Sequence, residues 1–198
     1  MALRIVAAET DMPPGWPRAL IDGFALDAAE WRPRTEADLH RYCWHVAGVV
    51  GCMMAVVMGV KPDDQATLDR AAELGMAFQL ANIARDVGED DVAGRCYLPI
   101  EWLTEIDTPP GQHMKPPFRP RLAVLVRRLT DQAQIFEDSA RGGTPALSFR
   151  SAWAVLAAAG IYGDIAREVA RRGEHAWDHR VVTPGREKLG WVIRAGRQ

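Results

Sequence analysis

The 198-residue chain is predicted to fold as a single all-α domain, and three observations support that expectation. Apolar residues recur three and four positions apart along most of the chain, which is the period of an amphipathic helix. The alternating apolar and polar pattern of a half-buried strand is almost absent. Hydrophobic residues make up 48% and charged residues 25% of residues 1–198, as in ordinary soluble domains with a core of their own.

The first three helices are predicted from their starting residues and apolar faces. Pro17 suits a first helical position, and apolar residues then recur over residues 17–31. A second helix opens with Thr-Glu-Ala-Asp and is expected to cover residues 35–58. The turn Lys61–Asp64 separates it from a third helix over residues 66–88.

The second half of the chain continues the helical pattern. Four prolines within residues 107–117 indicate a surface loop, because proline and glycine interrupt regular structure. The segment 120–140 is amphipathic, with leucines and valines on one face. The predicted helices of this half cover residues 98–102, 120–140, 145–172, 174–180 and 184–194.

Composition excludes several classes of protein. A formal net charge of −2 gives no sign of a nucleic-acid partner. The three cysteines leave an odd count without metal-ligand spacing, so reduced thiols in a cytoplasmic protein are expected. The first residues lack the apolar length of a signal peptide. The longest uncharged run, residues 46–60, is shorter than the about 20 residues of a membrane-spanning helix and predicts a core helix.

Four polar residues are predicted to form a column on one face of the third helix. Gln79, Asn82, Asp86 and Asp90 are spaced three, four and four residues apart, which brings their side chains into line. The two carboxylates repel each other, so the column favours a cation above it, and hard oxygen ligands suit Mg²⁺ shared with substrate phosphates. The alternative is a solvated acidic face. Apolar flanking residues argue against it, because buried charge needs a partner: Leu74, Met76, Phe78, Leu80, Ile83 and Val87.

Two sequence blocks resemble those of a known enzyme family. The first runs Asn-x-x-Arg-Asp-x-x-x-Asp over residues 82–90 and is followed by Gly-Arg-x-Tyr-Leu-Pro over residues 94–99. It resembles the second aspartate-rich motif of the squalene and phytoene synthase family. The second block, Tyr-Cys-Trp-His-Val-Ala-Gly-Val-Val-Gly over residues 42–51, is similar to another signature of that family. The resemblance extends from about residue 15 to the C terminus, and the chain looks most like the C-terminal two-thirds of a bacterial phytoene synthase.

The resemblance implies an isoprenoid-synthase-type helical bundle around a central cavity, in which metal ions bind prenyl diphosphates. Mg²⁺ is the expected metal, with Mn²⁺ as the alternative, and no NADPH is expected. By the resemblance, Asn82, Asp86 and Asp90 are metal ligands, and Tyr42 joins the two aspartates as a catalytic residue. The residues expected to contact substrate are Gln79, Arg85, Val46, Gly48, Tyr162 and Arg180.

Three of these residues could instead have purely structural roles. Arg85 precedes Glu89 by four positions, so the two side chains are also compatible with an ordinary surface ion pair on a helix. Val46 and Gly48 suit a dry cavity wall for a prenyl chain, and they suit an ordinary hydrophobic core equally well.

The chain departs from the family pattern in its N-terminal part. No Asp-x-x-x-Asp precedes Tyr42, since Asp22 and Asp27 are five residues apart, and the family's first aspartate-rich motif is therefore absent from this sequence. The expectation is a bundle that lacks the N-terminal helices and a chain that is inactive alone. Uncovered apolar surface would favour association with a missing N-terminal half or with a second copy.

The reaction implied by the resemblance is the head-to-head condensation of two geranylgeranyl diphosphates to phytoene in carotenoid biosynthesis, through a cyclopropyl-carbinyl diphosphate. The alternatives are a squalene or dehydrosqualene synthase that uses farnesyl diphosphate, and a non-catalytic fragment that only binds a prenyl diphosphate. Peripheral contact with the inner face of the cell membrane is also expected, unless the C-terminal arginines are merely solvated. Those arginines are Arg167, Arg171, Arg172, Arg180, Arg186, Arg194 and Arg197.

Overall fold

The computed structural model describes residues 2–196, and over that range the chain is helical without a strand. The all-α prediction is confirmed. A π-helix, Trp44–Gly48, joins α3 to α4, and short 3₁₀ turns follow α7 and α8 at Thr144–Ala146 and Gly173–His175. The α-helices are α1 Ala2–Glu9, α2 Gly15–Ala28, α3 Glu36–Cys43, α4 Val49–Val57, α5 Gln65–Val92, α6 Ile100–Glu105, α7 Arg119–Arg141, α8 Phe149–Arg172 and α9 Gly185–Ala195.

Helix α5 is the centre of the bundle. It is 28 residues long and packs against α4, α7, α8 and the π-helix. Its apolar residues face several neighbours at once, as expected for a helix in the interior. The Asp64 carboxylate caps its N terminus by accepting a hydrogen bond from the Thr67 N–H at 3.2 Å. Fully buried residues of the surrounding core include Leu39, Leu80, Ala84, Leu122, Leu125, Leu129 and Val169.

Helices α4 and α5 form a tightly packed antiparallel pair. A Cβ atom at Gly51 would collide with the carbonyl oxygen of Ala71, and one at Gly75 would collide with that of Ala47. The two backbones therefore approach more closely than any side chain at these positions allows. This contact fixes one wall of the interior next to the polar column.

One predicted helix is present with a local change in its winding, and another is wrong. The helical run expected over residues 35–58 continues without a gap through α3, the π-helix and α4, and the π-helix packs against both α2 and α5. His45 Nδ1 lies 2.9 Å from the carbonyl oxygen of Ala19 in α2, so tertiary contacts override the local helical pattern there. The helix expected over residues 174–180 is a single 3₁₀ turn followed by irregular chain.

Helix α1 was not predicted, because its eight residues carry too short an apolar pattern to be recognised. Within the described range, none of the helices has the length and apolar character needed to cross a bilayer. Arg197, one of the arginines expected to contact lipid, lies outside the described residues.

Candidate functional site

The polar column lies along the C-terminal half of α5. Gln79, Asn82, Asp86 and Asp90 all belong to this one continuous helix, and each is partly buried. From Gln79 to Asp90 the column extends roughly 16 Å at the rise of an α-helix. The surroundings of its two carboxylates differ sharply.

Asp86 is neutralised by two arginines. The Arg85 guanidinium donates from Nε to Oδ1 at 2.7 Å and from Nη2 to Oδ2 at 2.6 Å, a bidentate pair. Arg180 Nη2 lies 3.0 Å from Asp86 Oδ1, and Arg180 Nη1 pairs with Glu89. The structure therefore brings Arg85 and Arg180, 95 positions apart in the sequence, to the same carboxylate. Arg85 pairs with Asp86 rather than with Glu89, unlike the surface pair considered as an alternative.

Asp90, one turn further along, has no such partner. Over residues 2–196, no hydrogen bond or ion pair reaches its carboxylate. Burial raises the pKa of Asp90 to about 6, and the neighbouring charge of Asp86 adds to the increase. The charge of Asp27 on α2 acts in the same direction, which places that carboxylate near this end of the column.

Asn82, Asp86 and Asp90 form a fitting but incomplete set of ligands for Mg²⁺. Amide and carboxylate oxygens suit a hard cation, and the unpartnered Asp90 carboxylate needs positive charge nearby. In the described part of the chain, no three His, Cys, Asp or Glu side chains lie close enough to hold a metal ion by themselves. A metal bound here would take further ligands from a diphosphate or from water.

Tyr42 is fixed next to the column by Asp27. Its hydroxyl donates to Asp27 Oδ1 at 2.9 Å and lies 3.1 Å from Oδ2, and the Tyr97 hydroxyl donates to the same Oδ1 at 2.9 Å. The Tyr42 ring is stacked between Trp31 and Tyr97, with centroid distances of 5.8 and 5.1 Å. Burial strongly raises the pKa of Tyr42, so its hydroxyl keeps its proton.

Sequence reasoning missed Asp27 and Tyr97 as site residues. Asp27 was considered only as part of a possible aspartate-rich motif, which its spacing from Asp22 does not fit. A signal did exist, because Asp27 follows the buried residues Ala19 and Gly23 at four-residue spacing on the inner face of α2. A carboxylate at such a position needs partners in the interior.

An apolar cavity of about 470 Å³ begins beside the polar column. Gln79 and Asn82 line one end of it, so a molecule in the cavity can reach the column. Val46 lines the wall, as the sequence prediction had it. The remaining wall is mostly hydrophobic and is formed by α4, α5 and the facing ends of α7 and α8. Its apolar members include Val50, Met54, Met58, Leu74, Phe78, Leu147, Val155 and Ala158.

Gly48 and Tyr162 lie outside this wall. Gly48 is buried between helices, where an added Cβ would lie 3.1 Å from Trp44 Cδ1 and 3.2 Å from Met76 Cγ. It packs between helices and does not line this cavity, and its predicted substrate contact stays a prediction. Tyr162 stacks on Phe78 at a centroid distance of 4.2 Å, so it contacts the cavity through that ring.

Comparison with known proteins shows the family of this chain. The family model described as squalene/phytoene synthase matches residues 1–187. The chain belongs to the squalene/phytoene synthase family. Two members are 15-cis-phytoene synthases from Enterobacter agglomerans and Pantoea ananas, 46% and 44% identical over 197 residues. Each match covers 100% of this chain but 66% and 63% of the relatives, so the chain spans less than two thirds of their length.

Solved structures of this family share the fold. A dehydrosqualene synthase crystallised with a ligand superposes with a TM-score of 0.85 at 28% sequence identity, covering 94% of this chain and 65% of that one. A squalene synthase from Alicyclobacillus acidocaldarius superposes with a TM-score of 0.77 at 23% identity, covering 87% of this chain and 65% of that one. The predicted isoprenoid-synthase type of bundle is thereby confirmed.

Proposed function

We propose that this chain provides the prenyl cavity and one metal-binding helix of a phytoene synthase. The proposed reaction joins two geranylgeranyl diphosphates head to head, through a cyclopropyl-carbinyl diphosphate, and loses a proton to give phytoene in carotenoid biosynthesis. The observation that carries the proposal is that an apolar cavity ends at Gln79 and Asn82, from which Asp86 and Asp90 continue the polar column along the same helix. The similarity to two 15-cis-phytoene synthases supports the choice of substrate.

The polar column and its two arginines would bind the diphosphate, the column through a metal ion and the arginines directly. Asn82, Asp86 and Asp90 would hold Mg²⁺, or Mn²⁺ as the alternative. The bound metal would neutralise charge on the diphosphate and make it a better leaving group. Arg85 and Arg180 would donate hydrogen bonds to diphosphate oxygens, since guanidinium groups already at Asp86 are placed to share their charge with an incoming anion. Gln79, at the cavity end, would position the first carbons of the prenyl chain.

The cavity protects the allylic cation that forms when the diphosphate leaves. Its wall of aliphatic side chains and Phe78 excludes water that would quench the cation. Tyr42 remains the proposed catalytic tyrosine, because Asp27 and the stacked rings of Trp31 and Tyr97 hold it rigidly and aromatic rings stabilise positive charge. The hydroxyls of Tyr42 and Tyr97 both donate to Asp27, which fixes the orientation of both side chains.

Two diphosphates need more metal ions, and therefore more metal-binding carboxylates, than one column supplies. We therefore propose that a second carboxylate-bearing segment, from the rest of a full-length synthase or from a second copy, covers this chain. Apolar residues exposed on α2 and α4 are consistent with such a partner: Ile21, Phe24, Met54 and Val57. The lipid contact of the C-terminal arginines stays a prediction. Arg167 is ion-paired with Glu137, and Arg171 and Arg172 with Glu168, which lowers the charge available to lipid.

A squalene or dehydrosqualene synthase acting on farnesyl diphosphate is the second candidate. The observation that favours it is the structural match to a dehydrosqualene synthase. The two candidates use the same site chemistry and differ in the length of chain that the cavity accepts. The non-catalytic fragment stays a third prediction, which a product assay separates from both.

The product assay uses purified residues 1–198 with Mg²⁺, alone and mixed with a synthase segment that carries an Asp-x-x-x-Asp helix. We expect no phytoene from residues 1–198 alone, because an incomplete metal site leaves several kcal/mol of barrier uncompensated. The mixture is expected to convert geranylgeranyl diphosphate to phytoene, and Asp86→Ala should abolish this.

Each other outcome of the assay has a distinct meaning. A product from farnesyl diphosphate only would favour the second candidate. Magnesium-dependent binding without any product in the mixture would support the non-catalytic fragment. Efficient phytoene formation by residues 1–198 alone would contradict the proposed need for a second carboxylate-bearing segment.

A further inference from the structure

A single arginine lies at the end of the cavity remote from the polar column. Arg70 precedes Asn82 by 12 positions on α5, so it lies about 18 Å further along the helix. Among the described residues that line the cavity, it is the one that carries a charge. The residues around it define what we call the cavity floor: Met58, Thr67, Arg70, Thr144 and Leu147.

The Arg70 side chain is anchored at the cavity floor by a hydrogen bond to α7. Its Nη1 donates to the carbonyl oxygen of Ser139 at 2.6 Å, in the last turn of α7. Carbonyl groups at a helix C terminus carry partial negative charge and attract cations. Over residues 2–196, no carboxylate pairs with Arg70, so this carbonyl is its anchor.

Two glycines leave room for the anchored guanidinium. A Cβ atom at Gly142 would collide with Arg70 Nη1 and would lie 3.0 Å from Cζ. A Cβ atom at Gly143 would lie 3.2 Å from the Cβ and 3.3 Å from the Cδ of Arg70. The φ angles of Gly142 and Gly143 are −67° and −86°, values that alanine adopts freely. The space, rather than the backbone conformation, is therefore what these glycines provide.

We infer that Arg70 is a specificity-determining residue whose volume limits the length of the prenyl chain. This inference rests on the proposed function, in which the cavity holds that chain. A chain entering from the column meets the Arg70 stem at the floor, and a hydrocarbon end cannot replace the guanidinium without leaving a charge poorly solvated. An arginine that served only to cap α7 would affect stability and leave chain length unchanged.

Three variants separate these roles. Arg70→Ala removes both stem and charge and opens the floor. Arg70→Met removes the charge and the cap but retains most of the stem, so it controls for loss of the cap. Gly142→Ala is expected to displace the guanidinium from Ser139 towards the cavity, which makes the cavity shorter. Circular dichroism and thermal melting establish that each variant is folded before binding is measured.

Binding is measured with farnesol, geranylgeraniol and geranylfarnesol, through quenching of tryptophan fluorescence or calorimetry. These alcohols probe depth without requiring the diphosphate site. For Arg70→Ala we expect the affinity for geranylfarnesol, relative to geranylgeraniol, to rise by about tenfold or more, since even one methylene group in an apolar pocket contributes about that much. Arg70→Met should keep the wild-type order of affinities, and Gly142→Ala should move the preference to farnesol.

The inference is overturned if Arg70→Ala and Arg70→Met change the order of affinities equally, or if neither does. It is also overturned if the wild-type chain binds none of the alcohols. The corresponding thiolodiphosphates, measured with Mg²⁺, test the proposed function separately. The thiolodiphosphates could bind no better than the alcohols while Arg70→Ala still changes the preferred chain length. That result would contradict the proposed function and support the role of Arg70 in limiting chain length.

Discussion

Asp86 and Asp90 lie one turn apart on the same helix, but their surroundings are opposite. Asp86 accepts hydrogen bonds from Arg85 and is paired with Arg180, so its charge is already compensated. Asp90 has no partner within residues 2–196, and burial raises its pKa to about 6. Of these two aspartates, only Asp90 carries a charge that no ion pair among residues 2–196 compensates. A cation that arrives with its own anion would satisfy Asp90 and release the arginines of Asp86 for that anion.

Removing Arg180 is expected to produce the largest change. Arg180→Gln frees one side of Asp86, so the affinity for Mn²⁺ alone should stay equal or rise slightly. Affinity for a prenyl thiolodiphosphate with Mg²⁺ should fall about tenfold or more, because hydrogen bonds from charged groups contribute about 1.5–3 kcal/mol. Calorimetry measures both affinities.

Arg186→Gln is the matched control for Arg180→Gln. Arg186 is also an arginine of the C-terminal region, but its side chain is 86% exposed and lies 3.9 Å from Glu187. Equal losses of diphosphate affinity in the two variants would show that general charge, rather than the position of Arg180 at Asp86, is responsible.

Removing the charge of Asp86 and removing that of Asp90 should change the free energy of unfolding in opposite directions. Asp90→Asn is expected to stabilise the metal-free chain by about 1–2 kcal/mol at pH 7.5, after allowing for partial solvent screening. Asp86→Asn is expected to destabilise it by a similar amount, because Arg85 loses its partner. Thermal melting tests the pair, and an increase of about 2–6 °C is expected for Asp90→Asn.

The gain from Asp90→Asn should depend on pH. The pKa of Asp90 is raised from 3.8 in a free side chain to about 6 in the fold. Between these values the folded chain binds the proton more tightly than the unfolded chain, so the charge costs stability progressively as pH rises and fully above pH 6. The gain should therefore be about halved at pH 5. A gain of the same size at both pH values would contradict an unpaired, titrating carboxylate.

A smaller effect is expected at the tyrosine beside the column. Tyr42→Phe removes the hydrogen bond to Asp27 but leaves a second donor, Tyr97, on that carboxylate. The free energy of unfolding should fall by about 1 kcal/mol, as for a typical single hydrogen bond. Denaturant unfolding measures this. A loss as large as that of Asp27→Ala, which leaves both hydroxyls without their partner, would mean that Tyr42 alone holds the cluster.

The sequence predicts best what one helix determines locally. The polar column is visible in the spacing of Asn82, Asp86 and Asp90, because all three lie on one uninterrupted helix. The partners of this column come from distant segments. Asp27 meets Tyr42 and Tyr97 across 15 and 70 residues, and no local pattern connects them.

The features that sequence patterns did not determine have the same origin. Gly48 lies in an apolar helical segment, and the sequence does not indicate whether a ligand or another side chain occupies the space beside it. The structure places Trp44 and Met76 there. The π-helix arises from packing against α2 and α5, which a single-helix pattern does not contain. Arg70 resembles a surface arginine until the fold brings it to the end of α7.

The most direct test of the account is calorimetry of residues 1–198 with geranylgeranyl thiolodiphosphate, with and without Mg²⁺. The thiolodiphosphate is expected to bind tightly only when Mg²⁺ is present, because Asp90 lacks a cation and the diphosphate supplies the remaining metal ligands. Asp90→Ala should remove the magnesium dependence and most of the affinity, whereas Asp22→Ala, at an exposed aspartate on α2, should change neither. If the thiolodiphosphate bound equally well without Mg²⁺, or bound Asp90→Ala as tightly as the wild-type chain, a metal site at Asp90 would be contradicted.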